Sequence, residues 1–189
     1  MVCETMKTAI LIILLLSLKA FAENSVIIND FENGLDGWGR YKDASSEAPE
    51  LSLTDESLRE GSSLKVKMNG CKLYQGIQFF KAPRMPDGTC AVSFLIKPVS
   101  GPPQLSLHLS ERKTFYGKDL ATASVHLAIK GSDWQKIMIP LNTFKDADRK
   151  KRGKKFTFKP GSIYLLRFNG ARTDQPSIFL LDDIIWELE

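Results

Sequence analysis

The chain has 189 residues, 43% of them apolar and 25% charged, and its 26 basic and 22 acidic side chains leave a formal net charge of +4. Such a composition excludes a disordered polymer, and the length suits one domain with a substantial core. Net charge this close to balance names no partner, but its distribution is uneven: Lys145, Arg149, Lys150, Lys151, Arg152, Lys154, Lys155 and Lys159 crowd into fifteen residues.

Lys7 precedes an apolar run from Ala9 to Leu16, and Ala20-Phe21-Ala22 follows as a small-x-small pattern. This reads as a secretory signal peptide over 1–22, cut after Ala22. The run is too short to cross a bilayer, and no later segment is long enough, so the expected product is secreted or periplasmic with no membrane insertion. Cys3 lies ahead of the apolar run rather than at the cleavage point, so no lipid anchor is expected. The remainder, 23–189, reads as a single domain.

That domain opens with Ser25-Val26-Ile27-Ile28, an apolar strand running into the acidic turn Asn29 to Trp38. Runs with period-two alternation follow at 51–54, 63–68, 72–80, 90–97, 104–110, 123–130, 134–140, 162–168 and 177–187, divided by Gly, Pro and polar clusters. No ten-residue helical periodicity intervenes, and 143–152 has room for only one helical turn. The fold class is therefore all-β, two antiparallel sheets packed as a sandwich or jelly roll, with 25–32 and 177–187 close in space. The long irregular segments, where binding residues tend to sit, are 39–50, 111–122 and 143–158. Cys71 and Cys90 begin successive opposed strands, which puts the thiols about 25 Å apart at about 3.3 Å per residue, and no bridge is expected.

Alternation also sorts side chains between core and surface. Leu105, Leu107 and Leu109 face inward and leave Gln104, Ser106, His108, Ser110 and Arg112 outside. Ile77 and Phe79 do the same for Tyr74, Gly76, Gln78 and Phe80. Val125, Leu127 and Ile129 expose Ser124, His126 and Lys130, and Tyr164, Leu166 and Phe168 turn Arg167 outward. Planar polar, aromatic and imidazole groups together suit a sugar, whose hydroxyls take paired hydrogen bonds and whose C–H face stacks on a ring. Tyr74, Gln78, His108, Tyr116 and Arg167 are the expected ligand contacts, with Tyr41 ranked below them. The plainer reading is the wet face of an antiparallel sheet. Convergence requires 72–80, 104–110 and 162–168 to share one sheet.

Acidic groups gather at the two chain ends. Asp30 and Glu32 close the first strand, and Asp182 and Asp183 interrupt the apolar run Ile178 to Trp186. Because successive strand residues point to opposite faces, one of Asp182 and Asp183 is expected to point into the buried face. An unpaired carboxylate there is costly, and a hard cation such as Ca2+ would relieve the cost. The alternative is that these carboxylates accept backbone hydrogen bonds, or pair with Lys65 or Arg167, with no metal.

The order of elements resembles the galactose-binding-like jelly roll of calcium-containing carbohydrate-binding modules and the related domain of complex I intermediate-associated proteins. The residues that carry the resemblance are Asp30-Phe31-Glu32 with Gly34, Leu35, Gly37 and Trp38; Glu60 to Val66; Ser93 to Lys97; Asp133 to Ile137 and on through Ile139-Pro140-Leu141 to Phe144; and Leu181-Asp182-Asp183-Ile184. The resemblance implies a structural calcium site at Glu32 and Asp183, completed by oxygens near Asp30 and the Gly61-Ser62-Ser63 turn. The expected metal set is thus Asp30, Glu32, Ser63 and Asp183.

Catalytic signatures are missing from the sequence: there is no Gly-x-Ser-x-Gly, no His-Glu-x-x-His, and no acidic pair on the outward faces of the kind a glycosidase needs. Trp38, Trp134 and Trp186 sit beside core residues and read as structural. The basic run reads as a solvated loop or as a contact for acidic polysaccharide or an anionic surface. Nucleic acid is not expected, since no aromatic interleaves 145–155. The reading is non-catalytic binding of polysaccharide or oligosaccharide, an acidic one included; the alternative is a protein-interaction or assembly module on the same fold.

Overall fold

Residues 24–42, 44, 46–58, 61–70, 74–101, 103–148, 151–170 and 175–189 are described by a computed structural model. The expected signal peptide lies outside the described residues. So does Cys71, and with it the expectation about a Cys71–Cys90 bridge. Cys90 turns its thiol to the Glu187 carbonyl, 3.5 Å away.

The strands are β1 (Ser25–Asn29), β2 (Trp38–Lys42), β3 (Glu50–Thr54), β4 (Ser63–Met68), β5 (Gln75–Phe79), β6 (Thr89–Ser100), β7 (Leu105–Arg112), β8 (Asp119–His126), β9 (Gln135–Pro140), β10 (Lys145–Asp146), β11 (Ile163–Gly170) and β12 (Ser177–Leu188). One sheet has the order β3-β4-β12-β6-β9, with β1 also paired to β12; the other has the order β10-β8-β7-β11-β5-β2. Neighbours run antiparallel, and the first strand lies against the last, Ser25 opposite Glu187 and Ile27 opposite Ile185. The expected two-sheet sandwich is the fold.

Alternation builds the core as the sequence implies. Leu64 and Val66, Phe94 and Ile96, and Phe179 and Leu181 come from one sheet; Ile77 and Phe79, Leu107 and Leu109, and Leu166 and Phe168 come from the other, and all are buried. Phe94 meets Phe168 edge to face across the gap, centroids 5.1 Å apart at 88°. Such a pair contributes about 1 kcal/mol beyond the area it buries.

Alternation changes phase once, at Asp182-Asp183. Before it the core side chains of β12 are odd-numbered, Phe179 and Leu181; after it they are even-numbered, Ile184 and Trp186. A bulge makes the switch: Asp182 lies opposite Leu95 but Ile185 opposite Ser93, so β12 carries one extra residue. Asp183 sits there in the left-handed region, φ 43°, which Asp tolerates better than most side chains. One of the two carboxylates is buried, as expected, but the extra residue keeps it out of the central core that strict alternation would have given it. Asp182 is buried, but on the side it shares with Leu95 and Leu180, outside the central cluster.

Three boundaries differ from expectation. The segment read as irregular from 39 contains β2; the strand expected at 123–130 is β8, four residues earlier; and the helical turn falls at Leu141–Thr143, with β10 at Lys145–Asp146 where the turn was expected. Ala121 and Ala123 face inward from β8 with too little apolar bulk to outweigh Leu127 and Ile129 in a reading by hydrophobicity.

The bulge predicts a particular order of variants. In the presence of chelator, Asp183→Gly should leave urea stability within about 0.5 kcal/mol, whereas Asp183→Val should lose about 1 to 3 kcal/mol, because a β-branched residue is strained at positive φ. Equal losses would show that the carboxylate, not the backbone, governs this position.

Candidate functional site

The outer face of the β10-β8-β7-β11-β5-β2 sheet brings the expected ligand residues together. Strands β5, β11 and β7 are neighbours, and Arg167 lies opposite both Gln78 and His108. One row therefore reads Ser124, His108, Arg167, Gln78, Gly39, and the next reads His126, Ser106, Asn169, Gly76, Tyr41.

Arg167 is the centre. Its Nε donates to Gln78 Oε1 at 3.0 Å, and one terminal nitrogen donates to Asp119 Oδ2 at 2.8 Å and to Ser110 Oγ at 3.5 Å. Asp119 is shared: its Oδ1 accepts from Arg112 Nε at 2.7 Å. Burial pushes the Asp119 carboxyl up, but the two guanidiniums outweigh it and hold the group below the usual carboxylate range. Sequence reasoning missed Asp119, because the segment that carries it read as loop.

The arginines also organise the rings. Arg167 stands 5.8 Å over Tyr41, which is 6.2 Å from Tyr74; Arg112 stands 5.7 Å over Phe80, which is 5.7 Å from Tyr116. Tyr74 and Phe80 flank the ends of β5, about 20 Å apart for six residues at about 3.3 Å each. Two glycines let the inner rings lie flat. A Cβ on Gly76 would fall 2.5 Å from Tyr41 Oη and from the Phe168 carbonyl, and one on Gly39 would fall 2.8 Å from Phe80 Cε2. Tyr41, ranked low from sequence, is thus part of the same surface. Burial pushes its phenol pKa up.

His108 lies between this polar centre and two depressions beside β8. One, of about 590 Å3, is lined by Ser106, His126, Lys145, Asp146, Ala147, Arg152 and Gly153; the other, of about 330 Å3, is lined by Asp119, Leu120 and Asp148. Burial, then the nearby Arg167 and His126, lower the His108 pKa to about 4. His108 is therefore a neutral hydrogen-bonding group at ordinary pH.

The three tryptophans are placed as structural residues would be. Trp38 stacks between Phe31 and Phe79 at 5.4 and 5.1 Å, Trp186 is fully buried, and Trp134 is half-buried just before β9.

The expected metal ligands sit elsewhere, along β1, β4 and β12. Glu32 Oε1 accepts the Ser62 N–H at 2.7 Å, Asp30 Oδ1 accepts the Glu32 N–H at 3.2 Å, Ser63 Oγ donates to the Glu56 carbonyl at 2.7 Å, and the Asp183 N–H donates to Asp182 Oδ1 at 2.8 Å. Among the described residues no three His, Cys, Asp or Glu side chains converge in a way that would hold a metal. The donors are all oxygens, which suits a hard cation, but one bound here would draw on backbone carbonyls as well as Glu32 and Asp183.

No protein-family model and no curated protein matches the chain. Solved structures do match. The family 11 carbohydrate-binding module of a cellulosomal cellulase of Clostridium thermocellum is 20% identical with a TM-score of 0.66, over 87% of this chain and 95% of the module. A family 11 module from Clostridium thermocellum in complex with a β-1,3-1,4-mixed-linked tetrasaccharide is also 20% identical, with a TM-score of 0.69 over 86% of this chain and 94% of the module. An agarase is 11% identical with a TM-score of 0.61, over 88% of this chain but 25% of its own. What is shared is the fold, a β-sandwich that carbohydrate-binding modules also adopt.

Three variants test the site. Since the folded His108 pKa lies below the unfolded value near 6.5, the unfolded chain binds the extra proton, and stability should fall as pH drops from about 6.5 to about 4; His108→Gln should flatten that slope. Asp119 acts lower, its contribution being lost as pH falls through its depressed pKa. At neutral pH Asp119→Asn should cost about 1 to 2 kcal/mol in urea unfolding, since it leaves two guanidiniums without their shared anion on a side chain still 27% exposed. Gly76→Ala should cost more, about 2 to 3 kcal/mol, because the Phe168 carbonyl cannot move aside.

Proposed function

We propose that this chain is an exported, non-catalytic polysaccharide-binding protein that lays an extended glycan along the outer face of the β5–β11–β7 sheet. The observation that carries the reading is the continuous line Tyr74, Tyr41, Arg167, Asp119, Arg112, Phe80, Tyr116, in which rings at both ends flank a fixed polar centre. Rings stack on sugar C–H faces; Gln78, His108 and Arg167 meet hydroxyls. The family 11 module solved with a mixed-linked tetrasaccharide supports the choice of ligand class.

Binding is proposed without catalysis. A glycosidase needs one carboxyl kept protonated at working pH and a second carboxylate facing it. Asp119, the carboxylate at the polar centre, is pushed the wrong way for that proton and held by two arginines.

Shallow sites of this kind bind in about the micromolar to millimolar range. Calorimetric titration with mixed-linked β-glucan and agarose should give such a value, and Tyr74→Ala or Tyr41→Ala should remove most of it while the melting temperature of Tyr74→Ala stays unchanged. If folded protein binds neither these nor an acidic polysaccharide, the reading is wrong, and a protein-interaction module like that of complex I intermediate-associated proteins takes its place.

We further propose a structural Ca2+ joining the turn after β1 to β12 through Glu32 and Asp183. The ion would supply the positive charge that lets both carboxylates sit against the sheet. Calcium should then raise the melting temperature and a chelator lower it. Asp183→Gly, which keeps the left-handed backbone, should abolish that response; an undiminished response would place the ion elsewhere.

A further inference from the structure

Strand β10 pairs with β8 at Ser124 and Ala123, and the chain after it folds back on itself: the Asp146 N–H donates to the Lys154 carbonyl at 2.8 Å and the Gly153 N–H to the Asp146 carbonyl at 3.1 Å. This stands a hairpin beside the sheet and makes it one wall of the 590 Å3 cleft. Ser106, His108 and His126 form the floor, and Lys145, Asp146 and Arg152 belong to the wall. The volume is ordinary for a ligand site.

The cleft has a sign. Its lining carries two cations, Lys145 and Arg152, against one carboxylate, Asp146. The arginines of the neighbouring sheet face, Arg112 and Arg167, are engaged by Asp119, but among the described residues no carboxylate pairs with Lys145 or Arg152. His108 marks a boundary, because the smaller depression on its far side is lined by Asp119 and Asp148. The floor also offers neutral polar groups, with Ser106 Oγ and His126 Nδ1 hydrogen-bonded at 2.8 Å. Uncompensated cations over a hydroxyl- and imidazole-bearing floor suit a sugar that carries an anion, and the guanidinium fork matches a carboxylate or a sulfate ester.

We propose that this cleft is an anion subsite in which Arg152 and Lys145 hold a carboxylate or sulfate of an acidic polysaccharide, the rest of the chain lying over His108 and Arg167. The inference rests on the glycan reading of the sheet face and narrows it to one class of ligand.

Three probes test it: polygalacturonate for the carboxylate, carrageenan for the sulfate ester, and mixed-linked β-glucan as the neutral chain, each titrated at low and high salt. The double variant Lys145→Gln, Arg152→Gln should weaken binding of at least one acidic probe about tenfold and leave the neutral probe unchanged. The double variant Lys151→Gln, Lys155→Gln removes the same charge from the same hairpin outside the cleft lining, and should change binding less than about threefold. Loss on polygalacturonate or on carrageenan alone identifies the anion. Equal losses in the two double variants would overturn the subsite in favour of diffuse attraction, and so would wild-type protein that prefers the neutral probe. Neutral binding retained with no acidic binding rejects this inference alone; no binding to any of the three rejects the glycan reading with it.

Discussion

A guanidinium in the middle of a sheet face must be compensated, and the way Arg167 is compensated arranges everything around it. Its side chain is only 22% exposed, so it cannot rely on water for its charge. Asp119 supplies the anion, and because that carboxylate also takes Arg112, one acid fixes two cations on neighbouring strands. Each cation then stands over a ring, and each ring meets a more exposed tyrosine. The geometry of the aromatic ends is thus a consequence of the charge balance at the centre.

The other sheet shows what the opposite solution looks like. Its charged pairs are local and closed: Lys67 with Glu50 at 2.7 Å on adjacent strands, Lys97 with Glu56 at 2.5 Å, Lys136 with Glu187 at 2.8 Å. Exposed pairs of this kind contribute little to stability and satisfy themselves. No comparable line of rings is set among them within the described residues. The distinction between a merely wet sheet face and a site is therefore made by what the charges hold in place, not by how polar the face is.

Much of this was legible from the amino acids. Period-two alternation placed Gln78, His108 and Arg167 outside, and the packing of β5, β11 and β7 into one sheet made them neighbours, as the sequence reading required. Two kinds of information were hidden. Strands whose inward positions carry charged or very small residues, such as β2 at Arg40 and Lys42 and β8 at Ala121 and Ala123, give weak alternation, so Tyr41 and Asp119 were read as loop residues. Bulges are hidden for another reason: the phase change at Asp183 depends on the register of β6 and β1, which no local pattern encodes. The acidic pair looked like a core carboxylate problem, and the backbone solved it by shifting the side chains' parity. Whether a cation also takes part is a separate question, put to Asp183→Gly.

On the proposed glycan reading, preorganisation and weak affinity follow from the same network. With Gln78, Asp119 and Ser110 already bonded to Arg167, little side-chain entropy remains to be lost on binding, which favours association. Yet those bonds also occupy the donors and acceptors that a sugar hydroxyl would use, so each polar contact made by a ligand partly replaces one already present. Affinity on such a face must come mainly from the contact area of the rings. Discrimination must come from groups whose charge is not already balanced. The proposed sites separate the two roles in space: stacking is assigned to the β5 side, where the tyrosines lie, and selection to the β8 side, where Lys145 and Arg152 have no carboxylate partner among the described residues.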